Sequence, residues 1–279
     1  MASNNELALI AAKMRLRALK AALKAKKGHV PPAFSCMDVV VSLFEDGLLN
    51  VNPDEPKAPT RDRFILSKGH ACLALYTIMS HRGFFGDEEL DDFAGHGSFL
   101  PGHPDLEIPG VEAISGSLGH GLGLGSGMAL AARMNGEDWK TTVILGDGEC
   151  QEGSIWEAAM FAGQQKLSNL TAIVDYNKLG ATNFTDNVIS LEPFADRWTS
   201  FGWNCVEIDG HDYNAIRKAY TQGRDERPRA IIAHTTKGKG VDFMENSPKW
   251  HHALPQGEQV EEALAQLQGQ IDALSDMSE

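Results

Sequence analysis

The 279 residues suffice for one large domain or two small ones, with a core that needs no disulfide or metal staples. Hydrophobic content of 42% and charged content of 23% belong to an ordinary globular chain, and no apolar run approaches the ~18 residues of a membrane span. A net charge of −13 disfavours nucleic acid and anionic membrane as partners, and four scattered cysteines (Cys36, Cys72, Cys150, Cys205) with no C-x-x-C pair speak against a zinc ribbon or disulfide framework and for a reducing, cytoplasmic setting.

The first predicted element is a helix over 6–27, with Leu9, Ala12, Leu16, Leu19 and Leu23 at helical spacing. It carries Lys13, Arg15, Arg17, Lys20, Lys24, Lys26 and Lys27, and it reads as a surface helix packed on the domain. An organelle-targeting leader would leave a spacer, whereas this periodicity runs straight into Gly28-His29. Pro31-Pro32 then fix a loop and remove two donors, before a helix over 36–49 and an exposed Pro-rich loop over 52–61. Helices follow over 70–81, 118–134, 154–166 and 213–222, and strands over 142–145, 171–175, 204–208 and 230–234. Residues from about 256 form a terminal surface helix with apolar positions Val260, Leu264, Leu267, Ile271 and Leu274, so the chain reads as a single domain over 1–279 with a helical tail. Several strands are apolar throughout, as strands covered on both faces must be. Their alternation with helices predicts an α/β fold: a doubly wound, mostly parallel sheet flanked by helices. Ligands in such sheets lie beyond the carboxyl ends of the strands. Those ends here are Gly146-Asp147-Gly148, Tyr176-Asn177, Asp209-Gly210-His211 and Thr235-Thr236-Lys237-Gly238.

Gly146-Asp147-Gly148-Glu149 and, thirty residues after Asp147, Asn177 carry the strongest chemical signal. Each alone reads as a turn. Together, after adjacent apolar strands, a carboxylate and an amide oxygen suit Mg²⁺, which takes one or two carboxylates plus ligand phosphates and water. A substrate phosphate on so acidic a chain needs a local positive site, built from a metal, histidines or helix N-termini. Among the glycines of 119–127 no triplet has the G-x-G-x-x-G spacing of a dinucleotide loop; their small size lets a helix pack closely against a neighbour, a subunit interface being one such place.

In Gly-Asp-Gly followed by Asn, the chain resembles the thiamine-diphosphate enzymes, and within them the transketolase family. Gly28-His29 with Asp38 starting a helix, Arg61 to His70 (RDRFILSKGH), Pro101-Gly102-His103-Pro104, Ser115 to Gly121 (SGSLGHG) and the stretch from Gly153 to Glu157 look like transketolase blocks in transketolase order. The resemblance covers residues 10–255 and implies the thiamine-diphosphate-binding fold, specifically its diphosphate-binding domain. It implies that Asp147, Asn177 and the Leu179 carbonyl hold Mg²⁺, that His70, Gly116, Leu118, Gly148, Asn177 and His251 contact thiamine diphosphate, and that His29, His70, His103 and His251 face the reacting sugar. Imidazoles suit the proton transfers of ketose cleavage. Trp250-His251-His252 offers two histidines where the family has one followed by glycine, and Glu152 and Glu157 match interface glutamates. Pro31-Pro32, Ser117, Tyr176 and Ala181 depart from the family, pointing to a sugar phosphate other than the usual pentose phosphates.

In the family the glutamate that activates the aminopyrimidine belongs to a pyrimidine-binding domain absent from this sequence. The implied protein is the N-terminal subunit of a split transketolase, active only with a separate C-terminal subunit in an α2β2 heterotetramer. It would transfer a two-carbon ketol unit from a ketose phosphate to an aldose. Two other outcomes stay open: another thiamine-diphosphate reaction, of the deoxyxylulose-phosphate synthase or 2-oxoacid dehydrogenase alpha-subunit kind, and a non-catalytic relative.

Overall fold

The structure, a computed structural model, describes residues 2–277; Met1, Ser278 and Glu279 lie outside the described residues. Five strands, β1 (Arg63–Leu66), β2 (Thr141–Gly146), β3 (Leu170–Tyr176), β4 (Asn204–Asp209) and β5 (Arg229–His234), form one sheet in the order β1-β2-β3-β5-β4. Every pairing is parallel. All four predicted strands are present. The unpredicted one, β1, lies inside the RDRFILSKGH block, where only four residues separate charged from functional positions.

Side chains alternate across the central strands with the period of two that a pleated strand imposes. Ile144, Ile173 and Ile231 pack on one face beneath α1 (Asn4–Ala25), α2 (Val30–Glu45), α3 (Cys72–His81) and, near the free edge, α8 (Tyr213–Thr221). Val143, Leu145, Ala172, Val174 and Ile232 pack on the other, beneath α4 (Gly121–Asn135), α5 (Gly153–Gln164) and α7 (Phe194–Ser200). Trp198 and Trp203 are fully buried on that second face. The edge strand β4 is covered less: Glu207 and Asp209 are exposed. A short α6 (Thr185–Val188) lies between β3 and α7.

Three expectations need correction. Helix α1 is more than a surface helix: ten of its residues are buried, including Arg15, and it packs against α2, α3 and the terminal helix α9 (Glu258–Asp276). Helix α2 begins at Val30, not at residue 36, so Pro31-Pro32 occupy its first turn. Their missing N–H groups cost nothing there, because first-turn donors have no helical partner. Asp38 therefore lies mid-helix and buried. The close packing expected of the 119–127 glycines is present, since Gly121 abuts Ser67 and Gly125 abuts Val143, while a Cβ on Gly123 or Gly127 would meet nothing. Among the described residues no helix is long and apolar enough to cross a membrane.

Candidate functional site

The carboxyl ends of β1, β2, β3 and β5 open onto one cavity of about 520 Å³. Its wall contains the ten residues assigned above to metal, coenzyme or sugar: His29, His70, His103, Gly116, Leu118, Asp147, Gly148, Asn177, Leu179 and His251. A larger groove of about 730 Å³ runs along β4 and α8, but it gathers no comparable set of oxygen donors and imidazoles.

Parallel strands deliver the oxygen donors. Asp147 follows β2 directly; its Oδ1 accepts from Gly148 N at 2.7 Å and its Oδ2 from Lys178 N at 2.5 Å. Asn177 follows β3. Its Nδ2 donates to Asp175 Oδ2 at 3.1 Å, which fixes the amide so that Oδ1 faces Leu179 N at 3.1 Å. The Leu179 carbonyl accepts from Lys237 Nζ at 2.8 Å. Burial first, then the charge of Asp175, push the Asp147 carboxyl up to about 6.

Two buried lysines, not singled out from sequence, supply the positive charge. Lys68 forms a buried ion pair with Asp175 and donates to Pro32 O at 3.0 Å. Burial opposes its charge, but Asp175 outweighs burial and holds the ammonium protonated. Lys237 donates to Leu179 O and Gly180 O and lies 2.6 Å from His251 Nδ1. It contacts no carboxylate among the described residues, and burial followed by the charge of Lys68 brings it down to about 8. A buried cation beside empty volume, with no anion in contact, is a site for an anionic ligand.

The imidazoles line the same cavity. Ring centroids of His29 and His70 are 5.4 Å apart, and His251 lies 5.6 Å from each. Burial, then the neighbouring histidines and Lys237, lower His29 to about 4. Burial and Lys237 lower His251 to about 3, and His70 and His103 are lowered chiefly by burial. The cluster is neutral near pH 7. Of the tandem pair, His251 is buried and lines the cavity, whereas His252 is exposed.

Glu149 ties the blocks together. Its Oε1 accepts from the Ser67 hydroxyl and from Gly119 N at 3.0 Å, and its Oε2 accepts from Gly146 N at 3.0 Å. Gly69 adds a steric lock, since a Cβ there would overlap the Ser115 carbonyl oxygen. Gly69→Ala is expected to displace the Ser115–Gly119 loop and cost about 1–3 kcal/mol, read as a lowered melting temperature.

Some singled-out positions lie elsewhere. Tyr176 is buried beside Phe194 and donates to Glu192 at 2.5 Å, so it does not bear on the cavity; Ala181 does line it. Glu152 and Glu157 are exposed at the start of α5, away from the cavity wall. His211, given no role from sequence, has one: its Nδ1 lies 2.6 Å from Asp38 Oδ2, and its Nε2 accepts from Thr236 N at 2.9 Å. That pairing places the ring proton on Nδ1 and anchors the segment carrying Lys237.

Residues 7–270 match the family model for the transketolase thiamine diphosphate binding domain. The chain is 46% identical over 264 residues to an apulose-4-phosphate transketolase subunit of Phocaeicola vulgatus, covering 94% of both proteins. It is 39% identical over 244 residues to the 6-deoxy-6-sulfo-D-fructose transketolase subunit SqwG of a Clostridium species, covering 86% of this chain and 88% of that one. Human transketolase is 34% identical across 94% of this chain, which spans only 42% of the human protein. The crystal structure of Campylobacter jejuni transketolase superposes with a TM-score of 0.89 at 30% identity, over 98% of this chain and 46% of that one. The chain therefore belongs to the transketolase family, as a form of its thiamine diphosphate binding domain.

Proposed function

We propose that this chain binds thiamine diphosphate with Mg²⁺ and forms one half of a ketol transferase whose other half is a separate subunit carrying the pyrimidine-binding domain. The observation that carries the reading is the shared cavity, whose wall brings together hard oxygen donors, two buried lysines and four imidazoles. The donor set fits the groups. Asp147, Asn177 and the Leu179 carbonyl supply the oxygens that Mg²⁺ prefers, Lys237 lacks an anionic partner among the described residues, and Gly148 leaves room for a diphosphate. Gly116 and Leu118 line the cavity where the coenzyme's rings would lie, with His70 and His251 toward its diphosphate.

When bound, thiamine diphosphate supplies the electron sink that lets a carbon–carbon bond beside a carbonyl break. The chain's own contribution is positioning and proton transfer. His29, His70, His103 and His251 present ring nitrogens to hydroxyls of a ketose phosphate, where neutral imidazoles both donate and accept. Lys68 and Lys237 hold positive charge against the diphosphate in a chain whose net charge would repel it.

Two relatives of matching length are named as transketolase subunits, which supports the split architecture; the α2β2 heterotetramer is part of the same proposal. Their names also support a sugar phosphate or sulfo-sugar outside the usual pentose phosphates, and Pro32 and Ala181 line the cavity at two of the departures noted above. The cytoplasmic assignment and the single diphosphate-binding domain over 1–279 belong to the same proposal.

The test is product analysis with and without the companion subunit. Ketol transfer from a ketose phosphate to an aldose, without CO₂ release and only with both subunits present, is the expected result. Turnover by this chain alone would sink the split reading. CO₂ release from pyruvate without ketose activity would sink ketol transfer.

A further inference from the structure

We propose that His29, His251 and His252 form a second cation site, for a transition-metal ion of the Zn²⁺ type, at the edge of the cavity. One ring nitrogen from each lies within 4.8 Å of the other two. Ring centroids are 4.9 Å apart for His29 and His252, and 4.4 Å for His251 and His252. Three imidazoles without a carboxylate select a different ion from the oxygen donors around Asp147. Imidazole nitrogen suits Zn²⁺, Cu²⁺ or Ni²⁺, whereas Mg²⁺ demands oxygen.

The scaffold holds two of the three ligands. His29 stands at the N-cap position of α2, and His251 follows the short helical turn Pro248–Trp250, whose Trp250 is buried. His252 is exposed, so solvent leaves its ring room to move as the nitrogens draw together until each lies about 2.0–2.1 Å from a shared ion. Lys237 lies against Nδ1 of His251, leaving Nε2 for the ion. Coordination there puts the ring proton on Nδ1, where it donates to Lys237, and one proton leaves the pair. Three protein ligands leave a fourth position open, as in catalytic zinc sites. Occupancy withdraws His29 and His251 from any substrate and takes the charge from Lys237, so the ion competes with the sugar and weakens the hold on a diphosphate beside Asp147.

The test is optical and needs neither coenzyme nor sugar, so its outcome is separate from that of the proposed reaction. Co²⁺ is titrated into the full chain with Mg²⁺ in excess, followed by Zn²⁺. The expected result is one Co²⁺ per chain with visible d–d bands and no sulfur charge-transfer band, displaced by one equivalent of Zn²⁺. His252→Gly, at an exposed position, should melt like the parent and bind Co²⁺ more weakly by at least the ~10–100-fold that even an outer-shell loss costs. Absence of a Co²⁺ spectrum, displacement by Mg²⁺, a thiolate band or unchanged affinity in His252→Gly would each overturn the site.

Discussion

Asp147→Asn is expected to abolish Mg²⁺-dependent uptake of thiamine diphosphate and, with the companion subunit present, to lower turnover on the order of 10²–10³-fold. The expectation follows from where β2 ends. Asp147 is 2% exposed, feels the negative charge of Asp175, and is oriented by backbone N–H groups of Gly148 and Lys178. Without a cation its charge is poorly compensated. Its folded pKa of about 6 stands above the unfolded value, so the penalty is absent below about pH 4, grows as pH rises, and is complete above about pH 6. The full penalty is about 3 kcal/mol. Asn at this position removes the charge at the expense of one hydrogen bond from Lys178. The metal-free variant should therefore melt no lower than the parent at pH 7, yet show no upward shift with coenzyme and Mg²⁺. Loss of the ligand response together with loss of the fold would instead mark Asp147 as structural.

Asp38→Ala is expected to destabilise the chain by about 3–5 kcal/mol, the usual result of removing one partner from a buried ion pair. Asp38 receives Arg15 Nη2 at 2.6 Å, Arg15 Nη1 at 3.1 Å, Tyr213 OH at 2.7 Å and His211 Nδ1 at 2.6 Å. Burial works against its charge, but Arg15 and His211 outweigh it and hold the carboxyl well below the usual carboxylate range. The stability it contributes is present above about pH 4 and is lost only as pH falls through that lower value. For a chain of this size the melting temperature should drop roughly 5–10 °C. Because His211 also accepts from Thr236 N, coenzyme affinity should fall as well, through the Lys237 segment. A melting temperature within 1–2 °C of the parent, on the order of the usual surface substitution, would show that Arg15 finds other partners.

The central sheet is legible in the sequence because β2, β3 and β5 are apolar along most of their length, which only strands covered on both faces tolerate. The site is legible because parallel strands bring polar residues from distant positions to one rim. Asp147 and Asn177 each stand one residue beyond a strand, and Gly-His pairs mark three of the four imidazoles. Lys68 and Lys237 are not legible although they obey the same rule, two residues after β1 and three after β5. Lysine is so often a solvated surface residue that its position past a strand carries little weight alone. Strand β1 is hidden by its length, four residues among charges. The Asp38–His211 contact joins positions 173 apart, and no local pattern announces a pairing decided by how α2 packs against the β4–α8 turn. Pro31-Pro32 mislead for a local reason: the same two residues can stiffen a loop or open a helix, and only the position of the N-cap decides.

The most direct measurement is calorimetric titration of thiamine diphosphate into the two-subunit assembly, with Mg²⁺ present and then chelated. One coenzyme per diphosphate-binding chain, held only while Mg²⁺ is available and lost in Asp147→Asn, is the predicted outcome. Heat of equal size and affinity in the chelated sample would contradict it, because the oxygens beyond β2 and β3 would then have no part in holding the coenzyme.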